Sequence, residues 1–513
     1  MAQEQPQVKA TLGLTGVTVN AMALIAPGAF LWITYQLQAA ATAPDGSSVA
    51  SDMWPGIMLA LVLCFLTAYS YGELARIYPE AGFGSCYYFA EKAFLDRENA
   101  EHHKWARLAK LVTGWAAHLF YWVYPGVMVA MMATLLGYMY TAISGGTLPQ
   151  PVLFGICALF SFAVGYIAFR GVNGSTFTAL LINVIQISSL VLFSCLAVYY
   201  RWHNPEGVTT WTFSGIGDVV MPHSLQGVLV QSTIAVLILV GFESCTALAA
   251  ETKDPHKNIP RGVILSLVIQ GLLCYLFEYG AACYMVGDKL TGTDATGKVL
   301  TAMDAAAASS APIGDMAVQL GNSLLGGLGF GFMMTIAVTV ALAILGTTLS
   351  CMNTAVRVSY AMAQDKEMPE ILNMMHGRFA TPHRMIWVLV VVSALIGMIG
   401  VTSVVGLTGI GLASNFGTFV LYGLTCIWTV IAFGHRKDFN AVKHLVVPLL
   451  GLLLNVAMVV SILYLYIIGN ADAQHEAYIC FAIAGAWAVI SLAYVAVTSI
   501  RSGRPVVAAP RRA

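Results

Sequence analysis

The sequence predicts an all-α protein that crosses a membrane twelve times, and three observations lead to this prediction. Of its 513 residues, 58% are hydrophobic and only 10% are charged, whereas about one quarter of the residues of a soluble domain are charged. Apolar runs long enough to cross a hydrocarbon core of about 30 Å recur along the whole chain. Basic residues collect in alternate connecting segments, which is typical of a multi-pass protein.

Twelve apolar runs, separated by prolines, glycines and charged residues, are predicted as membrane helices, and we number them as spans 1 to 12. They cover residues 12–40, 54–78, 111–141, 150–169, 176–200, 226–251, 261–287, 329–363, 384–402, 404–434, 443–468 and 475–500. The N-terminal segment lacks the basic region and the small-residue cleavage site of a signal peptide, so we expect the first run to remain as a helix.

The distribution of charge predicts the orientation of these spans. With both termini in the cytoplasm, the only lysines and arginines outside the cytoplasmic segments are Arg201, Lys289 and Lys298. The positive-inside rule expects this bias, and one span more or fewer would destroy it. We therefore predict a multi-pass protein of a bacterial-type inner membrane with both termini cytoplasmic.

The composition argues against several other functions. Acidic and basic residues are equal in number, at 25 each, and no long basic patch occurs, so nucleic acid is not an expected partner. The ten cysteines form no CxxC pair and no cluster with histidine at metal-ligand spacing, so no metal and no cofactor are expected. The spans carry neither a catalytic cluster nor the ring of polar residues that a channel needs. The predicted partners are a small molecule and the lipid bilayer, and a homodimer stays open.

Two of the spans are predicted to be broken near their middle. Span 1 is interrupted at Ala26-Pro27-Gly28-Ala29 and span 6 at Gly241-Phe242-Glu243-Ser244. Proline removes a backbone donor and glycine relaxes the backbone. Irregular backbone at membrane depth is tolerated where it lines a cavity or is buried in protein. Ordinary kinks in membrane helices are the alternative interpretation.

The spacing of the two breaks suggests an internal repeat. They lie five spans apart, so residues 12–200 and 226–434 can form two halves of opposite topology, which together make a transport core over 12–434. Residues 435–500 then form spans 11 and 12 outside the repeat. Residues 1–11 and 501–513 are predicted as the cytoplasmic N-terminus and the cytoplasmic tail.

Four stretches carry a family resemblance. They read YGELARIYPEAGFGSCYYFAEKAF (71–94), GVNGSTFTALLINVIQ (171–186), VGFESCTALAAETKDPHKNIPRGV (240–263) and TTLSCMNTAVRVSYAMAQDKEMPE (347–370). In this order they resemble the amino acid–polyamine–organocation (APC) superfamily of permeases. The resemblance implies the LeuT-type fold, with a 5+5 inverted repeat and broken helices 1 and 6.

The resemblance also implies where a substrate binds. Amides of Ala26, Pro27, Gly28 and Ala29 would face a substrate carboxylate, since a half-helix N-terminus suits an anion. Carbonyls of the second break would face an amino group, and the residues concerned are Val240, Gly241, Phe242 and Glu243.

Three positions depart from the family pattern. Pro27 stands in the middle of a run that is Gly-small-Gly in many members, and it cannot donate a hydrogen bond. Leu237 stands where the family often has an aromatic gate. Gln186 stands where some proton-coupled members have a lysine, and because glutamine does not titrate, we expect substrate exchange.

Further candidates come from polar residues in apolar runs, which are functional hypotheses by default. Glu243 is read either as a cap for free N–H groups at the break or as a proton or amine partner. His118, Tyr121 and Tyr124 share one face of span 3 and are candidates to line the cavity, while an interhelical hydrogen bond of His118 is the alternative. Glu278 in span 7 is read either as a group that titrates during the cycle or as an interfacial or paired carboxylate.

Two groups of residues have alternative interpretations. Charged residues at cytoplasmic helix ends are predicted to form an inner gate or, alternatively, to be solvated: Glu73, Arg76, Glu80, Lys253, Arg261, Arg357, Asp365 and Lys366. Hydroxyls in span 8 could bind sodium, but bonds to their own helix are favoured: Thr347, Thr348 and Ser350.

The sequence thus predicts a secondary-active transporter, not an enzyme. It would move an amino acid or a related amine by alternating access, with exchange as the favoured coupling. Proton symport through Glu243, Glu278 or His118 is the alternative.

Overall fold

The computed structural model describes residues 10–25, 27–79, 85–95, 104–171, 176–293, 296–377, 379 and 381–503. Within these residues, twelve helical segments are long and apolar enough to cross a membrane, which confirms the predicted number. Ten of them are built as follows: span 2, Met53–Ile77; span 3, Lys104–Ser144; span 4, Gln150–Phe169; span 5, Thr176–His203; span 7, Pro255–Ser266, Leu267–Tyr275 and Leu276–Met285; span 8, Gly329–Gln364; span 9, His383–Gly400; span 10, Val404–Phe433; span 11, Val442–Val446 and Val447–Ile468; span 12, Ala471–Ser502.

Spans 1 and 6 are each helical in separate parts. Span 1 consists of Leu14–Ile25 and Pro27–Ala40. Span 6 consists of the α-helix Leu225–Ala235, a short 3₁₀ turn at Val236–Ile238 and a 3₁₀ segment at Phe242–Glu251. The interruption of span 6 is therefore present in the backbone. In span 1 the two helical parts are separated only by Ala26, which lies outside the described residues, so the interruption predicted there stays a prediction.

The predicted boundaries differ most at the start of span 3. The helix begins at Lys104 instead of residue 111, because the charged residues before 111 were read as a loop. In the structure Lys110 is buried, and its ammonium lies 2.9 Å from Glu91 and 2.5 Å from Asp365. Paired charges of this kind can be accommodated inside a packed helix bundle.

Several short elements connect the spans. The helix Cys86–Leu95 follows span 2, and the short helix Ile216–Val220 follows span 5. Between spans 7 and 8 lie an antiparallel hairpin of Thr291–Thr293 and Val299–Thr301 and the helices Ala302–Ala308 and Pro312–Leu324. Turns of 3₁₀ helix occur at Ala50–Asp52 and Glu370–Asn373.

The broken spans lie in the centre of the bundle. In the most apolar stretch of each span, the rest of the chain buries 88% of the residues in span 1, 89% in span 3 and 83% in span 6. The same share is 28% in spans 4 and 11 and 11% in span 12. Spans 4, 11 and 12 therefore form the periphery, while both breaks are enclosed by protein as the absence of water in a bilayer core requires.

One end of the bundle carries most of the ion pairs, and we call it the basic end. Its ion pairs include Arg76 with Glu73 and Asp438, Lys110 with Glu91 and Asp365, and Arg357 with Glu251. Span 1 begins at this end, and spans 2, 6 and 8 finish there.

Candidate functional site

The predicted anion-binding end of span 1 lies at the start of its second helical part, where Gly28 and Ala29 are buried. Its first residue is Pro27, which is favourable at a helix start because it has no N–H to leave unpaired. The amides of Gly28 and Ala29 follow in the first turn, where an α-helix supplies no partner for its N–H groups. Ala26 lies outside the described residues. The role of Gly28 and Ala29 in binding an anion depends on an interruption at Ala26 and stays a prediction.

The carbonyls just before this break are bound by side chains of other spans. Three donors from spans 7 and 8 reach them: Gln270 Nε2 to Met22 (2.9 Å), Thr347 Oγ1 to Ala23 (3.0 Å) and Tyr275 Oη to Ile25 (3.1 Å). Pro27 has no N–H to donate to the Ala23 carbonyl four residues before it, and Thr347 supplies that bond instead. The conformation of span 1 at the break therefore depends on spans 7 and 8.

The break in span 6 centres on Gly241. Its φ angle is +119°, a conformation that L-residues with a side chain rarely adopt. A Cβ atom at this position would lie 2.8 Å from Cγ and 2.9 Å from Cβ of Leu24. Glycine is required here both by the backbone conformation and by the close approach of span 1.

Glu243 is held by three hydrogen bonds. The side chain is 1% exposed. Tyr121 of span 3 donates to Oε1 at 2.9 Å, while Tyr422 of span 10 and the Gly241 N–H donate to Oε2 at 2.7 and 3.0 Å. The bond to Gly241 is the one that the capping interpretation of Glu243 predicts. The two tyrosines tie the cap to spans 3 and 10.

The carbonyls of the second break already accept hydrogen bonds from nearby side chains. Three residues of the 3₁₀ segment donate to them: Ser244 Oγ to Gly241 (2.6 Å), Cys245 Sγ to Phe242 (3.1 Å) and Thr246 Oγ1 to Glu243 (2.6 Å). The resemblance implied that these carbonyls, with that of Val240, would face an amino group. In this conformation the chain itself satisfies three of them.

Aromatic side chains surround the two breaks. Phe242 packs against Tyr422 and Tyr71, with ring centroids 5.3 and 6.2 Å apart. Tyr124 is fully buried, and its ring lies 5.9 Å from that of Phe30 in the second part of span 1. Tyr121 thus contacts the break in span 6 through its bond to Glu243, whereas Tyr124 packs against the second part of span 1.

Gln186 lies directly beside the first break. The side chain is 1% exposed, and its Nε2 lies 2.7 Å from the position that a Cβ of Gly28 would occupy. Nε2 has no hydrogen-bond partner among the described residues. An amide donor therefore stands next to Gly28 in span 1, at the position where the resemblance compares it with a lysine.

His118 lies apart from the two tyrosines of its predicted face. It is buried, and its Nε2 lies 3.0 Å from the Oγ of Ser359 in span 8. Its ring is 5.5 Å from that of Trp122 and 5.8 Å from that of Trp487 in span 12. This environment is a packed junction of spans 3, 8 and 12.

Leu237 and Glu278 are both buried but differ in polarity. Leu237 is 1% exposed, within the 3₁₀ turn that precedes the second break. Glu278 of span 7 is fully buried, and neither carboxylate oxygen has a hydrogen-bond partner among the described residues. An ionised carboxylate in such a place is strongly disfavoured.

The charged residues at the basic end form separate groups. Glu73 accepts from Arg76 at 2.6 Å and lies 3.2 Å from Nε2 of the buried His444. Arg357 lies 3.1 Å from Glu251, and Lys366 lies 3.2 Å from Glu370. Glu80 is outside the described residues. The predicted inner gate is thus represented by local pairs whose role in gating stays a prediction.

A cavity of about 360 Å³ adjoins the breaks on the side of the basic end. Spans 1, 4, 5, 6 and 8 line it, and its polar wall includes Asn20, Gln186, Ser244, Ser350 and Arg357. Thr348, in contrast, donates to Ile344 of its own helix at 2.6 Å, as the alternative to a sodium site predicts. Among the residues that the structure describes, no group of three or more His, Cys, Asp or Glu could hold a metal ion.

Sequence reasoning missed several residues that hold the site together. Gln270 and Tyr275 of span 7, Tyr422 of span 10 and Glu251 at the end of span 6 were not singled out. Gln270 is a polar residue inside an apolar run, as Glu278 is, and this signal could have identified it. Tyr422 offers no such signal, because a tyrosine in a membrane helix is ordinary.

Comparison with known proteins agrees with this geometry. A family model described as "Amino acid permease" matches residues 11–495. The methylthioribose transporter of Bacillus subtilis (strain 168) is 22% identical over 406 residues, which is 78% of this chain and 77% of the relative.

Two further relatives are similar to parts of the chain. The branched-chain amino acid permease BcaP of the same organism is 23% identical over 412 residues, 75% of each chain. The low-affinity putrescine importer PlaP of Escherichia coli (strain K12) is 26% identical over 232 residues, 44% of this chain and 45% of the relative. The family consists of permeases and not of enzymes. With nearly its whole length matched, the chain belongs to the amino acid permease family of the APC superfamily.

Proposed function

We propose that this permease is a secondary-active transporter that exchanges an amino acid or a related amine across the membrane by alternating access. The observation that carries the proposal is the direct contact between span 1, close to its predicted interruption, and the break in span 6, where Leu24 packs on Gly241. Interrupted helices that meet in the interior are where transporters bind their substrates.

The chemistry around the breaks supports a substrate with an acidic group. The N–H groups of Gly28 and Ala29 and the amide of Gln186 are donors on one side of the contact. An amino group would have to reach the carbonyls of the second break, three of which accept side-chain bonds in this conformation. Substrate binding would then displace Ser244 or Thr246 from these carbonyls.

Exchange is supported by the residue beside the first break. Gln186 cannot bind or release a proton in the physiological range, so it offers no ammonium group to alternate with a coupling ion. Without such a group, the return of the empty carrier is not assisted, and a second substrate molecule is the simplest counter-ligand.

The topology of the proposal follows the charge bias. We place the basic end in the cytoplasm, which puts both termini there, and assign 12–200 and 226–434 as inverted halves with spans 11 and 12 outside them. Single cysteines placed at residues 12 and 503, labelled from either side of sealed vesicles, test this orientation. Labelling from the outside in intact cells would contradict it.

The function is tested by counterflow in proteoliposomes. We expect a labelled amino acid mixture to enter vesicles preloaded with the unlabelled mixture and to stay out of empty vesicles at the same pH. Equal uptake by both kinds of vesicle would contradict exchange. Vesicles without protein provide the background.

A second candidate, proton-coupled symport, is favoured by Glu278. The carboxyl group is fully buried without hydrogen-bond partners among the described residues, and opening of the bundle would expose it to water. Symport predicts uptake into empty vesicles that requires an inward proton gradient and is lost in Glu278→Gln. Glu206→Gln, at the exposed opposite end, serves as the control.

A further inference from the structure

The 360 Å³ cavity at the basic end has features of a binding site in its own right. Its volume lies within the range of small-molecule sites, about 300–1,000 Å³. Its wall is largely apolar, with Ile182, Leu248 and Leu349 among the residues that line it. Its inner end reaches Ala23 and Ser244, which border the two breaks. A substrate that leaves the breaks would pass directly into it.

Two opposite charges lie at the outer end of this cavity. Among the described residues that line it, Glu251 and Arg357 are the charged ones, and Nη2 of the arginine lies 3.1 Å from Oε1 of the glutamate. Their side chains are 26% and 22% exposed. Ion pairs that solvent reaches contribute little to stability, so this pair can separate at small cost.

The backbone around Glu251 is fixed, which gives the carboxylate a defined position. The Glu251 carbonyl accepts the N–H groups of Thr11 and Leu12 at 2.9 and 3.0 Å, and the Lys253 N–H donates to the Leu12 carbonyl at 2.8 Å. Arg357 also reaches the Ala247 carbonyl at 3.4 Å. The segment before span 1 thus holds the end of span 6, and the charges face the cavity from two different spans.

We infer that this cavity is a second substrate site, in which a zwitterionic amino acid with an aliphatic side chain replaces the Arg357–Glu251 ion pair. The α-carboxylate binds the planar guanidinium of Arg357, which matches a carboxylate in geometry. The α-ammonium binds Glu251, and the aliphatic side chain lies against the apolar wall. A diamine fits less well, because its second cation would face the arginine.

This inference rests on the proposed transport function and specifies its substrate class. The second site would hold an amino acid after release from the breaks, or before capture from the cytoplasm. It therefore acts at one face of the membrane only, and this asymmetry separates it from the central site.

Gly346 supplies a variant that fills the cavity without disturbing its wall. It lines the cavity, and a Cβ at this position would meet no atom within 4 Å. Gly346→Phe should therefore project its ring into the cavity space. Gly331→Phe is the matched control, because Gly331 lies on the same helix, is exposed, has the same open space and does not line the cavity.

The first experiment counts bound amino acid on the full chain in nanodiscs, with labelled L-leucine as the probe and putrescine as the dication. We expect two leucines per chain in the native protein and in Gly331→Phe, and one in Gly346→Phe and in Arg357→Gln. In the native protein, putrescine should not displace leucine from the second site, the one that Gly346→Phe and Arg357→Gln lose. One leucine per chain in every variant, or two retained in Gly346→Phe, would overturn the second site.

The second experiment tests which charge binds which group. Leucine methyl ester lacks the carboxylate, so it should bind the second site of the native protein more weakly than leucine does. Its affinity should be the same in Arg357→Gln as in the native protein. In Arg357→Gln, the leucine concentration that gives half-maximal exchange should rise about tenfold at the face of the basic end and stay unchanged at the opposite face. Equal changes at both faces would assign the ion pair to gating and overturn the inference.

The two proposals fail in different ways. Leucine exchange with a single bound leucine would leave the transport proposal intact and remove the second site. Two bound leucines without counterflow would leave the site and contradict exchange. If leucine is neither bound nor exchanged, the transport proposal and the second site are both contradicted for a zwitterionic amino acid with an aliphatic side chain.

Discussion

The two breaks are stabilised in different ways. In span 1, the carbonyls of the last helical turn are bound by Gln270, Tyr275 and Thr347, which belong to spans 7 and 8. In span 6, the free groups are bound by the residues that follow directly in the chain, Glu243 and Ser244 among them. The first break is held by its neighbours, whereas the second largely holds itself.

This difference has a consequence for motion. A break held by other spans changes its hydrogen bonds whenever those spans move, so its conformation can respond to the state of the bundle. A break that satisfies its own backbone keeps its shape while it moves as a unit. We therefore expect span 6 to behave as a rigid element and span 1 as the adaptable one.

The largest effect is expected when the self-held break is removed. In Gly241→Ala, a positive φ angle costs about 1–2 kcal/mol, and the new methyl group would also collide with Leu24. We expect exchange to fall at least about tenfold and thermal stability to drop. Uptake rates and unfolding temperature measure both effects.

The control for this variant is a glycine in open space. A Cβ added to Gly155 of span 4 would meet no atom within 4 Å, so Gly155→Ala should behave as the native protein does. Normal transport by Gly241→Ala would show that the backbone at the break can relax, and the rigid description of span 6 would be wrong.

The next effect concerns the cap of span 6. Glu243→Ala leaves the donors of Tyr121, Tyr422 and Gly241 buried without an acceptor, at about 1–3 kcal/mol for each group. Glu243→Gln keeps an oxygen for Gly241 and Tyr422, and the Tyr121 hydroxyl can turn to accept. We expect the alanine variant to lose most transport and the glutamine variant to stay within about threefold of native.

The glutamine variant also separates the two interpretations of Glu243. A capping carboxylate can be replaced by an amide with no change in the pH dependence of transport. A proton carrier cannot, because an amide does not titrate in the physiological range. Loss of a pH dependence in Glu243→Gln, with normal stability, would contradict the capping interpretation.

A smaller effect is expected at the break that other spans hold. Tyr275→Phe and Thr347→Val each remove one hydrogen bond to a carbonyl of span 1, worth about 1 kcal/mol, or roughly a fivefold change in an equilibrium constant. Because these bonds join different spans, we expect the change to appear as altered half-saturation for exchange more than as lost stability.

Span 8 provides the control for this prediction. Thr348 neighbours Thr347 in sequence, but its hydroxyl donates to Ile344 of its own helix. Thr348→Val should therefore leave half-saturation unchanged. Equal effects of the two threonine variants would show that the bond to Ala23 does not set the state of span 1.

The sequence was sufficient to predict the break in span 6 and the number of spans. Proline and glycine at 27 and 241 have local backbone consequences that need no knowledge of the fold. Apolar runs long enough to cross the bilayer core predict membrane helices, again without knowledge of the fold. The position of Glu243 next to a break could also be read directly.

What the sequence could not supply were contacts between distant parts of the chain. Tyr422 and Glu243 are 179 residues apart, and Tyr275 lies 250 residues from Ile25. Such pairs depend on how whole helices pack, which no local pattern reports. The start of span 3 was missed for the same reason. Lys110 is neutralised by Glu91 and Asp365, which lie outside span 3.

The smallest expected effect is the titration of Glu367 at the basic end, outside the membrane-spanning segments. Burial raises the pKa of this carboxyl from 4.5 to about 7, although nearby Lys110 and Arg107 and a hydrogen bond from Tyr87 favour the charged form. The folded protein thus binds this proton more tightly than the unfolded chain does. The stabilisation is full below pH 4.5 and is lost as pH rises through about 7.

Glu367→Gln removes this titration while it keeps an oxygen for the Tyr87 hydroxyl, which lies 2.9 Å from the carboxylate. We expect the unfolding temperature of the native protein to fall by a few degrees more than that of the variant between pH 5 and pH 8. Transport by the two proteins should keep a constant ratio over this range, because neither break is touched. A ratio that changes with pH would mean that the basic end influences the adaptable break, and spans 1 and 6 could then no longer be treated as separate from it.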